Sequence, residues 1–556
     1  MSERKAKAAT ALEMAGKQRE ISVSEFFLKN RHLLGFDTPA KALVTAVKEA
    51  VDNALDACEE AGVLPELVVE VRGRFGRSRV TVEDNGPGIV ESQISRIFGK
   101  LLYGSKFHKL SQSRGQQGMG ISAAGMYGQL TVGKPLHIIS RVESEKFASE
   151  LYVSMDTAHN RPDLHKKQRV EWDRPHGTRV EMEMEGAYQT GPHSVEAYLK
   201  QTAIANPHVS ITFTDPQGRK VVFSRSSERL PPRPKEIKPH PSGIELGRLI
   251  QMLSSTKCRS LLQFLVEEFT CVGRKTALEI IKRAGKALSD HSYPTHIAHA
   301  QASALHRAIQ KTPVRAPRTD CIAPIGEAQL LEGLHKELPA DFYTVTTRPA
   351  AVYRGNPFQV EVGIAFGRPG EPEIEVDSSG HMRKKKTQET DAAHQLIARK
   401  EEPVRILRFA NRVPLLYQQS SCAITKSVIQ TNWRAYGLHQ PKGALPIAPM
   451  AILVHVASVW VPYTSESKEA IEPYPELIKE IKLGLQQCAR RLAHYLQREL
   501  SLEREYGRRS YIEKYLPHIG LALQEILALS DAERDSAVAK LDDVLHSSRT
   551  TQKSAS

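Results

Sequence analysis

The chain has 556 residues, 40% of them hydrophobic, and its 77 Lys+Arg against 63 Asp+Glu give a formal net charge of +14. At roughly 100–200 residues per domain this length calls for several domains, each able to bury its own core, and the composition excludes disordered, collagen-like and membrane classes. The positive excess favours a polyanionic partner without choosing between nucleic acid and an acidic membrane surface. Six widely spaced cysteines with no CxxC pair suggest neither a disulfide framework nor a zinc cluster. The polar start MSERKAKAATALEMAGKQRE lacks the apolar core of a secretory signal, so a cytoplasmic location is expected.

The first informative element is TAVKEAVDNALDACEEAG. At about 100° per residue, Glu49, Asn53 and Asp56 fall on one side of a helix, and Val47, Val51, Ala54 and Cys58 on the other. A polar face is ordinarily a solvated one, but here it is short-chained and holds an Asn, a mediocre helix former. Next, RVTVEDNGPGI reads as a strand whose period of two buries Val80 and Val82 and turns Asp84 inward with them. The Asn-Gly-Pro-Gly that follows, with Gly88 at its end, is a turn that brings backbone close to a neighbour.

GSKFHKLSQSRGQQGMGISAAGMYGQLTVGKP then surrounds the onset of a small-residue helix with glycines, so that amide groups and a helix N-terminus can meet phosphates. Lys106 and Arg114 are cations nearby. Two motif matches inside it fail: Gly118 to Ala123 fits a dinucleotide pattern but follows no strand, and Gly128 to Lys134 fits a phosphate loop but Pro135 stands where Ser/Thr should hold magnesium. Farther on, HGTRVEMEMEG is a strand with Thr178, Val180, Met182 and Met184 on one face. An inward Asp84 and Thr178 together can read an adenine edge, accepting from its amine and donating to a ring nitrogen.

Five prolines in RLPPRPKEIKPHP mark an extended linker and a domain boundary. A small helical module around CVGRKTALEIIKRAG follows. From about Ala328, the strand-like FYTVTTR, FQVEVGIAFG, VRILRFANRVPLLY and AILVHVASVWV alternate with the helical DAAHQLIARK. The β-branched AILVHVASVWV reads as a strand buried on both faces rather than a membrane span. The basic run Arg383 to Lys386 fits a solvated loop and a phosphate contact equally well. LIKEIKLGLQQCARRLAHYLQRELSLERE predicts a long amphipathic helix, and SSRTTQKSAS a disordered tail.

In this order and spacing the motifs resemble the GHKL ATPase superfamily. KEAVDNALDA, GQQGMGIS, RFANRVPLLYQQSSCAITKSV and VHVASVWVPYTSESKEAI further resemble the type IIB topoisomerase family, the B subunits of DNA topoisomerase VI, over nearly the whole chain. The resemblance implies a multidomain α+β chain: a dimerisation arm (1–22), a Bergerat-type ATPase sandwich (23–228), a linker with a helix-two-turns-helix insert (229–310), an α/β transducer (311–473), a C-terminal helical region contacting the A subunit (474–545) and a tail (546–556). It implies ATP and Mg2+ as cofactors. Glu49 is then the general base, Asn53 the magnesium ligand, and Asp84 with Thr178 the adenine site, Gly88 lying beside them. Gly115, Gln116, Gln117, Gly118, Met119, Gly120, Ile121 and Ser122 form the lid over the phosphates, Ser105 and Lys106 its anchor, and Lys426 is the transducer lysine that reaches the γ-phosphate.

The implied activity is ATP-driven dimerisation that clamps duplex DNA and drives strand passage through a break made by a separate A subunit, in an A2B2 assembly associated with the nucleoid. No tyrosine in an acidic metal-binding context can be picked out, so the chain is not expected to cut DNA alone. A MutL-like or heat-shock-90-like clamp would share the first domain but lack the proline-bounded insert. A non-enzymatic DNA scaffold would rest on the net charge alone.

Overall fold

The computed structural model describes residues 14–15, 21–74, 76–104, 110–115, 118–315, 318–367, 375–376, 382–383 and 401–547. It divides into two units, residues 1–488 and 489–556. The first unit begins with α1 (Val23–Lys29) and α2 (Pro39–Ala61). Helix α2 starts where Thr38 caps the Lys41 amide and Pro39 fills the first turn, and it stops at Gly62, left-handed at φ 78°. Proline's fixed φ suits a helix start, and glycine's missing Cβ suits its end.

Helix α2 packs on an eight-stranded sheet built from β1 (Glu66–Arg74), β2 (Arg77–Asp84), β3 (Leu136–Arg141), β4 (Ala148–Asp156), β5 (Arg161–Val170), β6 (Gly177–Glu185), β7 (Ser210–Thr214) and β8 (Lys220–Phe223). The strand order is β5-β4-β3-β6-β2-β1-β7-β8, antiparallel except for the β1–β7 pair. Helices α3 (Glu91–Gly99), α4 (Gly120–Val132) and α5 (Val195–Ala205) complete the layer. Val47, Val51, Val80, Val82, Met182 and Met184 belong to its buried core, so the two inferred strand periods and the apolar back of α2 are those of the fold.

Residues 229–240 are irregular, as their prolines require. The insert that follows holds α6 (Leu246–Ser255), α7 (Leu261–Glu268), α8 (Arg274–Ala284) and α9 (His299–Lys311) around its own cluster, with Leu249, Leu261, Phe264, Ile280 and Leu305 at most 1% exposed. After it come α10 (Glu327–Glu337), β9 (Phe342–Thr347), β10 (Ala351–Tyr353), β11 (Asn356–Phe366), the two-residue β12 (Glu375–Val376) and β13 (Met382–Arg383), β14 (Arg405–Ala410), β15 (Val413–Pro414), α11 (Ala423–Gln430) and β16 (Met450–Ser458).

The second sheet runs β10-β11-β16-β14-β15, with β9 also on β11. All nine residues of β16 are buried, in agreement with a strand covered on both faces. This sheet shares a core with the first domain: Ile204 and Ala205 at the end of α5 pack in one cluster with Leu330, Leu334, Phe409 and Leu453. The DAAHQLIARK segment and Lys384 to Lys386 lie outside the described residues, as do most of the N-terminal arm and tail.

Helix α12 (Pro475–Leu527) runs for 53 residues, within the helical region expected over 474–545. In the first unit its Leu477, Ile481 and Leu485 are buried, and Gly484 admits Val362, whose Cγ2 would lie 2.7 Å from a Cβ there. In the second unit α13 (Asp531–Ser547) meets α12 where Gly520 faces Val538. No described helix is long and apolar enough to cross a membrane.

Candidate functional site

The first sheet, α2 and the start of α4 converge on a cavity of about 560 Å³, a size suited to a small-molecule ligand. At one end stands Asp84, which the β2–β6 register sets directly opposite Thr178. Asp84 Oδ1 accepts from the amides of Gly86 (2.8 Å) and Thr178 (3.2 Å), so both fixed donors meet one oxygen. Burial pushes this carboxyl up to about 6, against the pull of those two amides. Thr178 Oγ1 lies 3.0 Å from Ser140 Oγ, which accepts from the Ile89 amide at 2.8 Å. Ser140 is a support that sequence reasoning missed, on a strand it did not single out. Gly88 has φ +75°, and a Cβ there would come within 2.0 Å of the Arg141 carbonyl oxygen; only glycine fits that turn.

At the other end Glu49 is 8% exposed, and Asn53, one turn on, is exposed and lines the cavity. Helix α4 starts so close that a Cβ on Gly120 would lie 1.7 Å from Glu49 Oε2. The glycine thus lets a helix N-terminus, a ready anion site, approach the carboxylate. Burial raises the Glu49 carboxyl, but the ammonium groups of Lys468 and Lys48 outweigh it and hold it below the ordinary glutamate value. Gly115, Gly118, Met119, Ile121 and Ser122 also line the cavity. The Ser122 hydroxyl is taken up by the carbonyls of Ile97 (3.0 Å) and Lys100 (3.2 Å). Ser105, Lys106, Gln116 and Gln117 lie outside the described residues.

Two sequence expectations change. Arg114 is no free cation beside phosphates: it is 5% exposed, forked onto Glu59 with both contacts at 2.7 Å, and bonded to Asp56 (2.9 Å) and Asn206 (2.6 Å). Asp56 is therefore an ion-pair partner and not a member of the cavity front. Lys426, on α11, does not line the cavity; the lysine that the second domain brings there is Lys468.

Lys468 sits in a loop anchored at every step. The Ser467 amide donates to Leu33 O at 3.1 Å, Lys48 Nζ donates to Ser467 O at 3.0 Å, and Glu469 pairs with Lys41 at 2.5 Å. Lys468 itself is 5% exposed with Nζ donating to Arg114 O at 2.9 Å, and its φ of +53° is unusual for a lysine. The resemblance assigned the transducer lysine to Lys426, on α11, and the cavity is lined instead by the lysine of the TSESKEAI run. Asp52 was also missed: it is 2% exposed, accepts from the Tyr198 hydroxyl at 3.0 Å, and is pushed up to about 6 by burial.

Residues 38–184 match the family described as histidine kinase-, DNA gyrase B-, and HSP90-like ATPase, and residues 317–508 match the topoisomerase VI B subunit, transducer. The type 2 DNA topoisomerase 6 B subunit of Archaeoglobus fulgidus is 45% identical over 540 residues, covering 97% of this chain and 85% of that protein. Its counterpart in Methanosarcina acetivorans is 46% identical, covering 96% and 81%. Among solved structures, the ATPase region of Saccharomyces cerevisiae topoisomerase II aligns at 11% identity and a TM-score of 0.37, covering 85% of this chain and 100% of that one.

Proposed function

The chain belongs to the family of type 2 DNA topoisomerase 6 B subunits, and from that premise we propose the roles of its cavity residues and the assembly in which they work. It is the ATP-binding, ATP-hydrolysing component of a DNA topoisomerase. The free oxygen of Asp84 accepts from the adenine amine, while Thr178 supports the ring edge. The phosphates lie over the start of α4 and the glycines before it.

Glu49, ionised because Lys468 and Lys48 hold its carboxyl down, takes a proton from water as the water oxygen bonds to the γ-phosphorus and the bridging oxygen leaves with ADP. Lys468 meets charge developing on the γ-phosphoryl oxygens. Magnesium fits a site offering one side-chain oxygen, that of Asn53, because the ion keeps most of its shell as water and phosphate oxygens; bound, it would neutralise phosphate charge.

The observation that carries this reading is Lys468. A lysine from the second domain, buried at the reactive end of the first domain's cavity, gives the γ-phosphate a partner in both domains, so hydrolysis can move one against the other. In that scheme ATP draws two copies together through their first domains, duplex DNA is held between them, and the A subunit, seated toward the C-terminal helices, makes the break. DNA is contacted by the dispersed basic excess, so binding is salt-sensitive and sequence-independent. The assembly works at the nucleoid. The match of residues 317–508 to a topoisomerase VI transducer favours this over a MutL-like or heat-shock-90-like clamp.

The test is ATP hydrolysis by the purified chain with and without duplex DNA, then a strand-passage assay with its A subunit. DNA-stimulated hydrolysis and ATP-dependent decatenation are expected. A chain that binds ATP yet supports neither would overturn the proposal.

A further inference from the structure

The stem that leads into the glycine segment, Leu110–Gly115, is held by the second domain and its flanks. Leu110 O accepts from the Ile237 amide at 3.1 Å, and the Gln112 amide donates to Cys321 O at 2.9 Å. The Gln112 side chain exchanges two hydrogen bonds with Ala323, accepting at 2.7 Å and donating at 3.3 Å. Ser113 O accepts from Asn411 Nδ2 at 3.1 Å, and Arg114 O from Lys468. The Arg114 side chain then turns the other way, onto Asp56 and Glu59 of α2. One short stem is thus fastened by its backbone to one domain and by its arginine to the helix that carries Glu49 and Asn53.

The fastening centres on the turn between β14 and β15. Asn411 and Arg412 both have positive φ, +47° and +67°, and are 2% and 3% exposed. Asn411 Oδ1 accepts from the Ser458 amide at 2.9 Å. Arg412 donates to the carbonyls of Pro324 (2.9 Å), Ala205 (3.4 Å) and Ala323 (3.4 Å). Its own carbonyl accepts from Asn206, the residue that also receives Arg114, and its amide donates to His455, which is bonded to Glu361. A buried guanidinium whose hydrogen bonds all go to carbonyls is costly to hold. Burial pushes that guanidinium down to about 10. A two-residue hairpin turn calls for positive φ at both positions whatever its residues, but it does not call for a buried guanidinium.

We propose that Gln112, Asn411 and Arg412 are positioning residues through which the second domain sets the stem of the glycine segment, a route to the cavity separate from Lys468. They touch no substrate atom and act through the stem backbone and Arg114. This rests on the ATPase reading, which wild-type hydrolysis, measured first, tests separately.

The full chain carrying Gln112→Ala, Asn411→Gly (glycine tolerates that φ), or both is compared with wild type in steady-state ATP hydrolysis, AMPPNP binding and hydrogen–deuterium exchange. In each single variant kcat falls by about tenfold to a hundredfold, as for a displaced catalytic frame, while KM and AMPPNP affinity stay within about twofold and exchange across 110–115 quickens. The double variant falls no more than about twofold below the worse single one, because both act through one stem. In the wild type AMPPNP slows exchange in 110–115 and 408–415 together, a measurement that holds even if the variants fail to fold. Wild-type kcat with a loosened stem, multiplicative losses in the double variant, or stem and turn responding separately would each overturn the proposal.

Discussion

The two ends of the cavity each hold a buried carboxylate, and their surroundings push them in opposite directions. Asp84 lies among backbone amides, and burial takes it up to about 6 against their pull and that of the Arg174 charge. Glu49 is equally buried, but Lys468 and Lys48 take it down. Burial alone therefore does not fix the direction; what separates the two carboxyls is that ammonium groups outweigh burial at Glu49 and nothing does at Asp84. One of those cations, Lys468, comes from the other domain, so the state of Glu49 depends on the docking of the two.

The sharpest way to break this contrast is at the reactive end. Glu49→Gln keeps shape and removes the base, so hydrolysis at saturating ATP should drop about 10²–10⁴-fold with nucleotide affinity little changed. Lys468→Ala should cost about 10²–10³-fold in kcat, the scale of one lost charge-stabilising donor. Lys426→Ala, at a residue outside the cavity, should stay within about twofold in the same assay.

At the other end Asp84→Asn should instead raise the ATP dissociation constant by about tenfold to a hundredfold, the cost of about 1.5–3 kcal/mol for a charged hydrogen bond, with kcat at saturation nearly intact.

A smaller effect than that of Asp84→Asn is that of pH. Asp84 has a folded value of about 6, above the ~3.9 of a free aspartate, so its protonated form stabilises the free protein below about pH 4 and that contribution is lost as pH rises through 6. ATP needs the ionised form, so affinity should weaken severalfold as pH falls from 7.5 to 5, and Asp84→Asn should flatten that profile in a binding titration.

Much of this site was legible in the sequence because strand and helix periods are local. The period of two in RVTVED and in TRVEMEME put Asp84 and Thr178 on inward faces, and the 100° spacing put Glu49 beside Asn53. The strand AILVHVASVWV declared its burial by its β-branched run. What stayed hidden depends on contacts across hundreds of residues. Arg114 next to glycines looks like a phosphate cation until Glu59 and Asp56 take it up, and nothing within TSESKEAI shows that Leu33, Lys41 and Lys48 will receive it. Lys426 and Lys468 differ in neither charge nor type; only the docking of the loop decides between them.

The most direct test of the central claim is single-turnover ATP hydrolysis by the full-length Glu49→Gln chain at saturating nucleotide, with binding measured in parallel. The arrangement predicts wild-type ATP binding and a hydrolysis rate at least about a hundredfold below wild type. Hydrolysis at the wild-type rate by a variant that binds ATP normally would contradict it.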